Sequence, residues 1–256
     1  MTSTTIDATV QSRLRRGNAI AAAVHLVQAV AVGVRATGFA LPVTATYLAG
    51  PPGTPNQDPV VLFDLRMGAG VAAFLALSAL AHLLVTTVWW RRYVDDLGRS
   101  RNPARWVEYS LSSSLMIVLI AQLVGITDVV ALLGLFGVNA SMILFGWLQE
   151  RYEEPGAGGW LPFVFGCLAG IVPWMAIGIY LLAPGSASSE SAPGFVYGIF
   201  VSLFLFFNVF ALNQWLQYRA RGRWADYLFG ERIYIVLSLT AKSALAWQIF
   251  GGTLAS

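Results

Sequence analysis

Long runs of apolar residues, separated by short polar or turn-rich stretches, recur along the whole chain. The runs near 18–40, 65–91, 104–126, 128–149, 160–183, 194–217 and 231–252 each approach the roughly 20 residues a helix needs to cross a hydrocarbon core of about 30 Å. Between them lie Pro51-Pro52-Gly53, the Gly125 to Asp128 link, Pro155-Gly156, and the stretch from Pro184 to Gly194 with Ser186, Ser188, Ser189 and Ser191, all of them turn or loop chemistry. The pattern predicts an all-α membrane protein: one seven-transmembrane-helix bundle over residues 1–256, with no soluble domain left over and no internal repeat. The first connection, Leu41 to Asp64, is long enough to need structure of its own. Val43 to Leu48 and Val60 to Phe63 are β-prone runs around a Pro/Gly/Asn turn and predict a short hairpin.

Composition agrees. The chain is 57% hydrophobic and 11% charged, where soluble domains carry roughly 25% charged residues. Met1 to Val10 is small and polar with Asp7 its only charge, so no removable signal peptide is expected. The single cysteine, Cys167, excludes an internal disulfide and a cysteine metal cluster, and its place in an apolar run predicts a small buried hydrophobe. The basic balance does not indicate nucleic acid, because no basic helix or aromatic-basic module is present. The arginines mark topology instead. Arg13, Arg15 and Arg16, then Arg91, Arg92, Arg99, Arg101 and Arg105, then Arg151, and finally Arg219, Arg221, Arg223 and Arg232 all fall on one side of the seven crossings. The other side has only Arg35 and Arg66 near helix ends. The positive-inside rule then predicts a multi-pass protein of the cell membrane with a cytoplasmic N-terminus and an extracellular C-terminus. Gly166 and Gly170 in the fifth run, and Gly134, Gly137 and Ala140 in the fourth, predict close helix packing, inside the bundle or across a dimer seam.

An ionised side chain in hydrocarbon costs at least about 2.5 kcal/mol, so each one needs a partner or a role. The clear cases are Glu108 in the third run, His25 in the first, His82 in the second and Lys242 in the seventh. Lys242 is the only lysine, about eleven residues into its run and too deep to snorkel easily. Burial drives a lysine toward its neutral, nucleophilic amine, which condenses with aldehydes; a lysine paired with an internal carboxylate merely to fix helix packing would occupy the same position. Glu108 is the carboxylate placed to answer it, because the third and seventh helices enter from the same side and both side chains lean toward that side. Ser112 and Ser238 lie one turn from Glu108 and Lys242. Glu108 is close to its helix end, so the pairing requires that end to be wrapped in protein. His25 and His82, lacking acidic or sulfur companions, predict no metal site. They are either hydrogen-bonded core residues or, with Glu108, Ser78, Gln28 and Arg105, parts of a polar pocket able to accept a proton. Tyr109, Trp174, Phe204, Phe206, Phe207, Phe210 and Trp247 could sleeve an elongated apolar ligand.

Arg105-Trp106-Val107-Glu108-Tyr109-Ser110, the run from Gly137 through Asn139 and Met142 to Glu150, and Leu237-Ser238-Leu239-Thr240-Ala241-Lys242-Ser243 closely resemble the heliorhodopsins, and the resemblance extends through essentially all seven helices. It implies that Lys242 carries all-trans retinal as a protonated Schiff base, that Glu108 is its counterion, that Ser238 hydrogen-bonds near the pair, and that His25 and His82 match the family's two cytoplasmic-side histidines. Ser112, Tyr109, Asn139, Met142, Phe207 and Trp247 complete the expected cofactor site. The resemblance further implies a slow photocycle without net ion transport, and a homodimer through the fourth and fifth helices and the first external loop.

Residues also weigh sensing against transport. A pump needs titratable groups on both sides of the light-driven proton. On the external side of the pair the third helix offers Ser112, Leu115, Leu119 and Gln122, the seventh only Ser243 and Gln248 as polar groups, and the nearest acid is Asp128 at a helix end. That favours a photosensor over the alternative, a light-driven or light-gated proton or ion transporter. With no broken helix pair, inverted repeat or catalytic cluster, no enzyme is expected. A sensor requires a cytoplasmic signalling partner, which the residues do not identify; the basic surface is equally explained by topology and anionic lipid.

Overall fold

A computed structural model of the chain describes residues 5–182 and 192–254. The serine-rich connection from Ser186 to Ser191 lies outside the described residues. Among the described residues, seven helices are long and apolar enough to cross a bilayer: α1 (Ala8–Arg35), α2 (Met67–Thr86), α4 (Pro103–Leu123), α5 (Val129–Tyr152), α6 (Leu161–Leu182), α7 (Gly194–Arg219) and α8 (Tyr227–Ile249), the last prolonged by a π-helical turn, Phe250–Leu254. α1 packs on α2 and α8, α2 on α4, α4 on α5 and α5 on α6, while α7 leans on α8 and meets α6 along a thinner seam. The core where α2, α4, α6, α7 and α8 meet is sealed by Phe74, Ile117, Ile120, Ile177, Ile199, Leu203 and Leu245, none of which is exposed.

Three boundaries differ by five residues or more from the hydropathy pattern: α1 ends at Arg35, where extended Ala36 leads toward β-structure, and the other two lie at the arginine-rich end. α1 begins ten residues earlier than its apolar run, because the Asp7 carboxylate accepts from the Thr9 amide and caps it. Arg13, Arg15 and Arg16 are therefore helical; the Arg15 Nε donates to the Thr86 carbonyl, and Leu14 and Asn18 turn inward. The second run does not continue to Arg91. Hydroxyls of Thr86 and Thr87 bond back to the carbonyls of His82 and Leu83, and the backbone leaves the helix at Thr87. Such back-bonding competes with the helical ladder, and β-branched Val88 follows. A separate amphipathic helix, α3 (Trp90–Gly98), then runs with Tyr93 and Leu97 buried, one turn apart, against Leu14 and Val85. Asn102, whose carboxamide oxygen accepts from the Arg105 amide, and Pro103 at the first position start α4. α3 and the first turns of α1 supply the wrapping that a buried Glu108 requires.

At the opposite end the expected hairpin is present. β1 (Ala40–Ala45) pairs antiparallel with β2 (Val60–Arg66), with a bulge after Val43. The first strand sits three residues earlier than its β-prone run because β2 leads directly into α2, which fixes Ala40 opposite Arg66. Thr44 joins the α4–α5 connection through its amide, to the Thr127 carbonyl, and its hydroxyl. β1 is therefore partly covered, while Val60, Val61, Leu62 and Phe63 of β2 are exposed. Gly166 and Gly170 serve packing within the chain: a Cβ on Gly166 would lie 3.3 Å from that of Phe145, and one on Gly170 would lie 2.5 Å from the Met142 sulfur. Gly134 and Gly137 face open space. Cys167 is exposed rather than buried, since the stripe of α6 that meets α5 passes through Gly166 and Gly170.

Candidate functional site

Lys242 and Glu108 meet in the interior. The Lys242 Nζ donates to Glu108 Oε1 at 2.7 Å and to the Ser238 hydroxyl at 3.0 Å, and Ser78 donates to the same carboxylate oxygen at 2.6 Å. Both charged residues are buried, as are Ser78 and Ser238. The Lys242 nitrogen also stands 4.9 Å from the centre of the Tyr109 ring, whose hydroxyl donates to the Tyr234 carbonyl. α8 places Ser238 and Lys242 on one face, four residues apart, and α4 does the same for Glu108 and Ser112. α2 contributes Ser78, which the polar-pocket reading placed beside the histidines and which bonds directly to the counter-charge.

From Lys242 a mostly apolar cleft of about 810 Å³, measured to its mouth, extends between α4, α5, α6, α7 and α8. Of the residues expected around the ligand, Tyr109, Ser112, Met142, Phe207, Phe210 and Ser238 line this cleft, together with Trp106, Gly146 and Tyr234. At Gly146 a Cβ would come within 2.5 Å of the Trp106 ring, so only glycine leaves that ring in place. Cys167 stands at the wall on α6. Apolar and aromatic side chains make up most of the cleft's walls, with a few polar groups among them, which is the lining that small apolar ligands use. An amine at one end, an adjacent carboxylate and aromatic walls fit an elongated apolar aldehyde such as retinal. Other expected members do not line the cleft. Trp247 is 46% exposed and packs edge-on against Phe250, because it sits on the outward face of α8. Asn139 is buried one layer behind, donating to the hydroxyls of Ser113 and Ser114. Trp174 packs against Phe200, Phe204 and Phe207 and so supports the wall without forming it.

A second, smaller cavity opens toward the arginine-rich end, lined by Asn18, His82, Tyr93, Asn102, Arg105, Glu108, Tyr109 and Glu231 among others. The His25 ring, fully buried, stacks on His82 with centroids 5.9 Å apart, and neither of its ring nitrogens has a hydrogen-bond partner. His82 Nδ1 lies 2.7 Å from the Asn18 carboxamide oxygen. Gln28 does not belong to this pocket. It exchanges hydrogen bonds of 2.9 and 3.0 Å with Ser243 and so ties α1 to α8.

Arg105 lines this cavity, but its charge is committed elsewhere. Its Nη2 meets Glu150 Oε2 at 2.6 Å and its Nη1 meets Glu231, with all three side chains at most 3% exposed. Asn102 donates its amide to Glu150 at 2.5 Å and its carboxamide to Glu231 at 2.6 Å. Tyr227 donates to Glu150 at 3.2 Å, and Tyr93 to Glu231 at 3.5 Å. The guanidinium stacks over Tyr234 at 3.9 Å and Trp106 at 4.5 Å. Burial, and then the neighbouring Glu231 carboxylate, push the Tyr93 phenol well above its ordinary range, so it remains a neutral hydroxyl. Sequence reading missed this cluster because Glu150 and Glu231 stand at helix ends beside Arg151 and Arg232, where charges are ordinarily solvated. One signal was available: α4 and α8 begin, and α5 ends, on the same side, which brings positions 105, 150 and 231 to one level.

The family model described as heliorhodopsin matches residues 14–254. Among solved structures, the chain is similar to the crystal structure of the transmembrane domain and linker region of Salpingoeca rosetta rhodopsin phosphodiesterase, with a TM-score of 0.65 and 13% identity over 96% of this chain and 71% of that one. At that identity the likeness carries the fold alone. No curated protein matches in sequence.

Proposed function

The chain belongs to the heliorhodopsin family, and from that premise we propose that it is a light-sensing membrane photoreceptor with all-trans retinal bound covalently at Lys242. The observation that carries the reading is the buried Lys242–Glu108 pair at the end of an apolar cleft. Retinal, when bound, supplies the photochemistry, a light-driven isomerisation that changes the position and proton affinity of the nitrogen it shares with Lys242. The chain's own residues hold that nitrogen and its proton. In the free lysine Nζ donates to both Glu108 Oε1 and the Ser238 hydroxyl; the linked nitrogen keeps a single N–H, which Glu108 would accept with Ser238 beside it, while Ser78 holds the carboxylate in place. A buried positive charge without such a partner would be costly. Tyr109, Met142, Phe207 and Phe210 bind and orient an apolar chain and keep water from it.

His82, with His25 stacked on it, lies next to Glu108 on the arginine-rich side and is the group placed to take up the proton. On the other side Gln28 and Ser243 are bonded to each other, as are Ser202 and Gln248, and Asp128 is committed to capping α5. Among the described residues neither pair offers a base, and the Asp128 carboxylate is held by the Val130 and Ala131 amides, which supports a proton that leaves and returns on one side: a sensor without net pumping. The arginine distribution supports a cytoplasmic location for that side, where a signalling partner would read the change. A homodimer would use the outer faces of α5 and α6 and the exposed β2 strand.

The test is reconstitution with all-trans retinal. A visible absorption band should form and be absent in Lys242→Ala; a band that persists in that variant as a protonated linkage overturns the assignment. Light-induced pH recording on cells expressing the protein separates sensor from pump, and a sustained uncoupler-sensitive pH change would favour the transporter.

A further inference from the structure

The proposed proton acceptor has two ring nitrogens, and the structure distinguishes them. Asn18 donates its carboxamide NH₂ to the Leu14 carbonyl at 3.0 Å and to the Tyr93 hydroxyl at 3.2 Å. A carbonyl can only accept, so this contact fixes which way the amide points and turns the Asn18 oxygen toward His82. That oxygen is likewise only an acceptor, and at 2.7 Å it requires a proton on His82 Nδ1. The Tyr93 hydroxyl, having accepted from Asn18, sends its own proton to Glu231. Every donor from His82 to Glu231 therefore runs in one direction, and the last acceptor sits in a cluster where two carboxylates face one guanidinium. Asn18, Tyr93 and Glu231 come from α1, α3 and α8 and are all buried, so the arrangement is held from several sides.

We infer that Asn18, backed by Tyr93, is a positioning residue: it holds His82 with its proton on Nδ1, leaving Nε2 as the atom that accepts the light-released proton. A neutral imidazole has one donor and one acceptor nitrogen, and the hydrogen bond made by the first assigns the role of the second. When Nε2 takes a proton, the Nδ1–H bond to Asn18 becomes charge-assisted, and the surplus carboxylate charge of the Arg105 cluster lies at the other end of the chain of donors. The role of the proton rests on the photoreceptor reading; the position of the Nδ1 proton does not.

The experiment is solid-state ¹⁵N NMR of the histidine-labelled protein, whose two histidines are assigned with His25→Gln. Wild-type His82 should show a protonated Nδ1 and a bare Nε2, with or without retinal. Asn18→Asp, which keeps an acceptor at the same place, should retain that pattern. Asn18→Leu should lose it, and in the retinal-loaded protein the flash-induced loss of the visible band should fall at least about tenfold, a small part of the roughly 10⁴-fold that the wrong tautomer costs a catalytic imidazole. A wild-type His82 protonated on Nε2 overturns the inference, as does an unchanged tautomer and flash yield in Asn18→Leu. Where Asn18→Leu does not fold, the wild-type and Asn18→Asp spectra decide. A protein that forms no visible band with retinal refutes the photoreceptor reading while the tautomer remains measurable, so the two failures are distinct.

Discussion

Removing Arg105 should damage this protein more than removing the charge of its partner Glu231. The guanidinium, Glu150 and Glu231 are all buried, and with both acids ionised the cluster carries one positive and two negative charges, a surplus of one negative. Arg105→Gln doubles that surplus and leaves two carboxylates facing each other in a site shut off from water. Breaking a buried pair in this way costs about 3–5 kcal/mol, because the remaining charge keeps its desolvation penalty and loses its compensation. Glu231→Gln moves the other way. It leaves Arg105 and Glu150 as a neutral pair, and the new amide can still accept from Asn102 or Tyr93, so the loss should be that of one charge-assisted hydrogen bond to Arg105, about 1.5–3 kcal/mol. The assay is unfolding of both variants in mixed detergent micelles against increasing SDS, followed by far-ultraviolet circular dichroism. Equal destabilisation by the two substitutions, or a milder effect of Arg105→Gln, would refute the charge reasoning. Such a result would mean that the cluster is held by packing of the guanidinium on Tyr234 and Trp106.

Further outcomes are expected nearer the cleft. In retinal-loaded Glu108→Gln the visible band should give way to near-ultraviolet absorption at a lower pH than in wild type, because the carboxylate 2.7 Å from the lysine nitrogen favours the protonated form; spectrophotometric titration checks this, and an unmoved midpoint places the counter-charge elsewhere. Gly146→Val should overpack the Trp106 ring, at a cost of about 1–3 kcal/mol, and reduce retinal uptake in a reconstitution time course. Trp247→Ala, on the outer face of α8, should leave the absorption maximum where it was, and a spectral shift would contradict its placement.

Hydropathy and the cost of buried charge were sufficient, from sequence alone, for the seven spans, the hairpin, Lys242 and its answering Glu108. Each needs only one-dimensional information: the length of an apolar run, β-prone residues on either side of a turn, or the presence of an ionisable group where lipid would not tolerate one. The rotation of each helix about its axis is not one-dimensional, and there the tertiary structure decided. Trp247 and Gln28 stand within a turn or two of the site residues along their helices, yet one faces outward and the other faces Ser243. The end of α2 and the start of α3 depended on which carbonyls the Thr86 and Thr87 hydroxyls could reach. The Arg105–Glu150–Glu231 cluster draws one residue from each of three helices. Each charge alone reads as an ordinary helix-end group, and only packing, which removes water from all three at once, makes them a buried network.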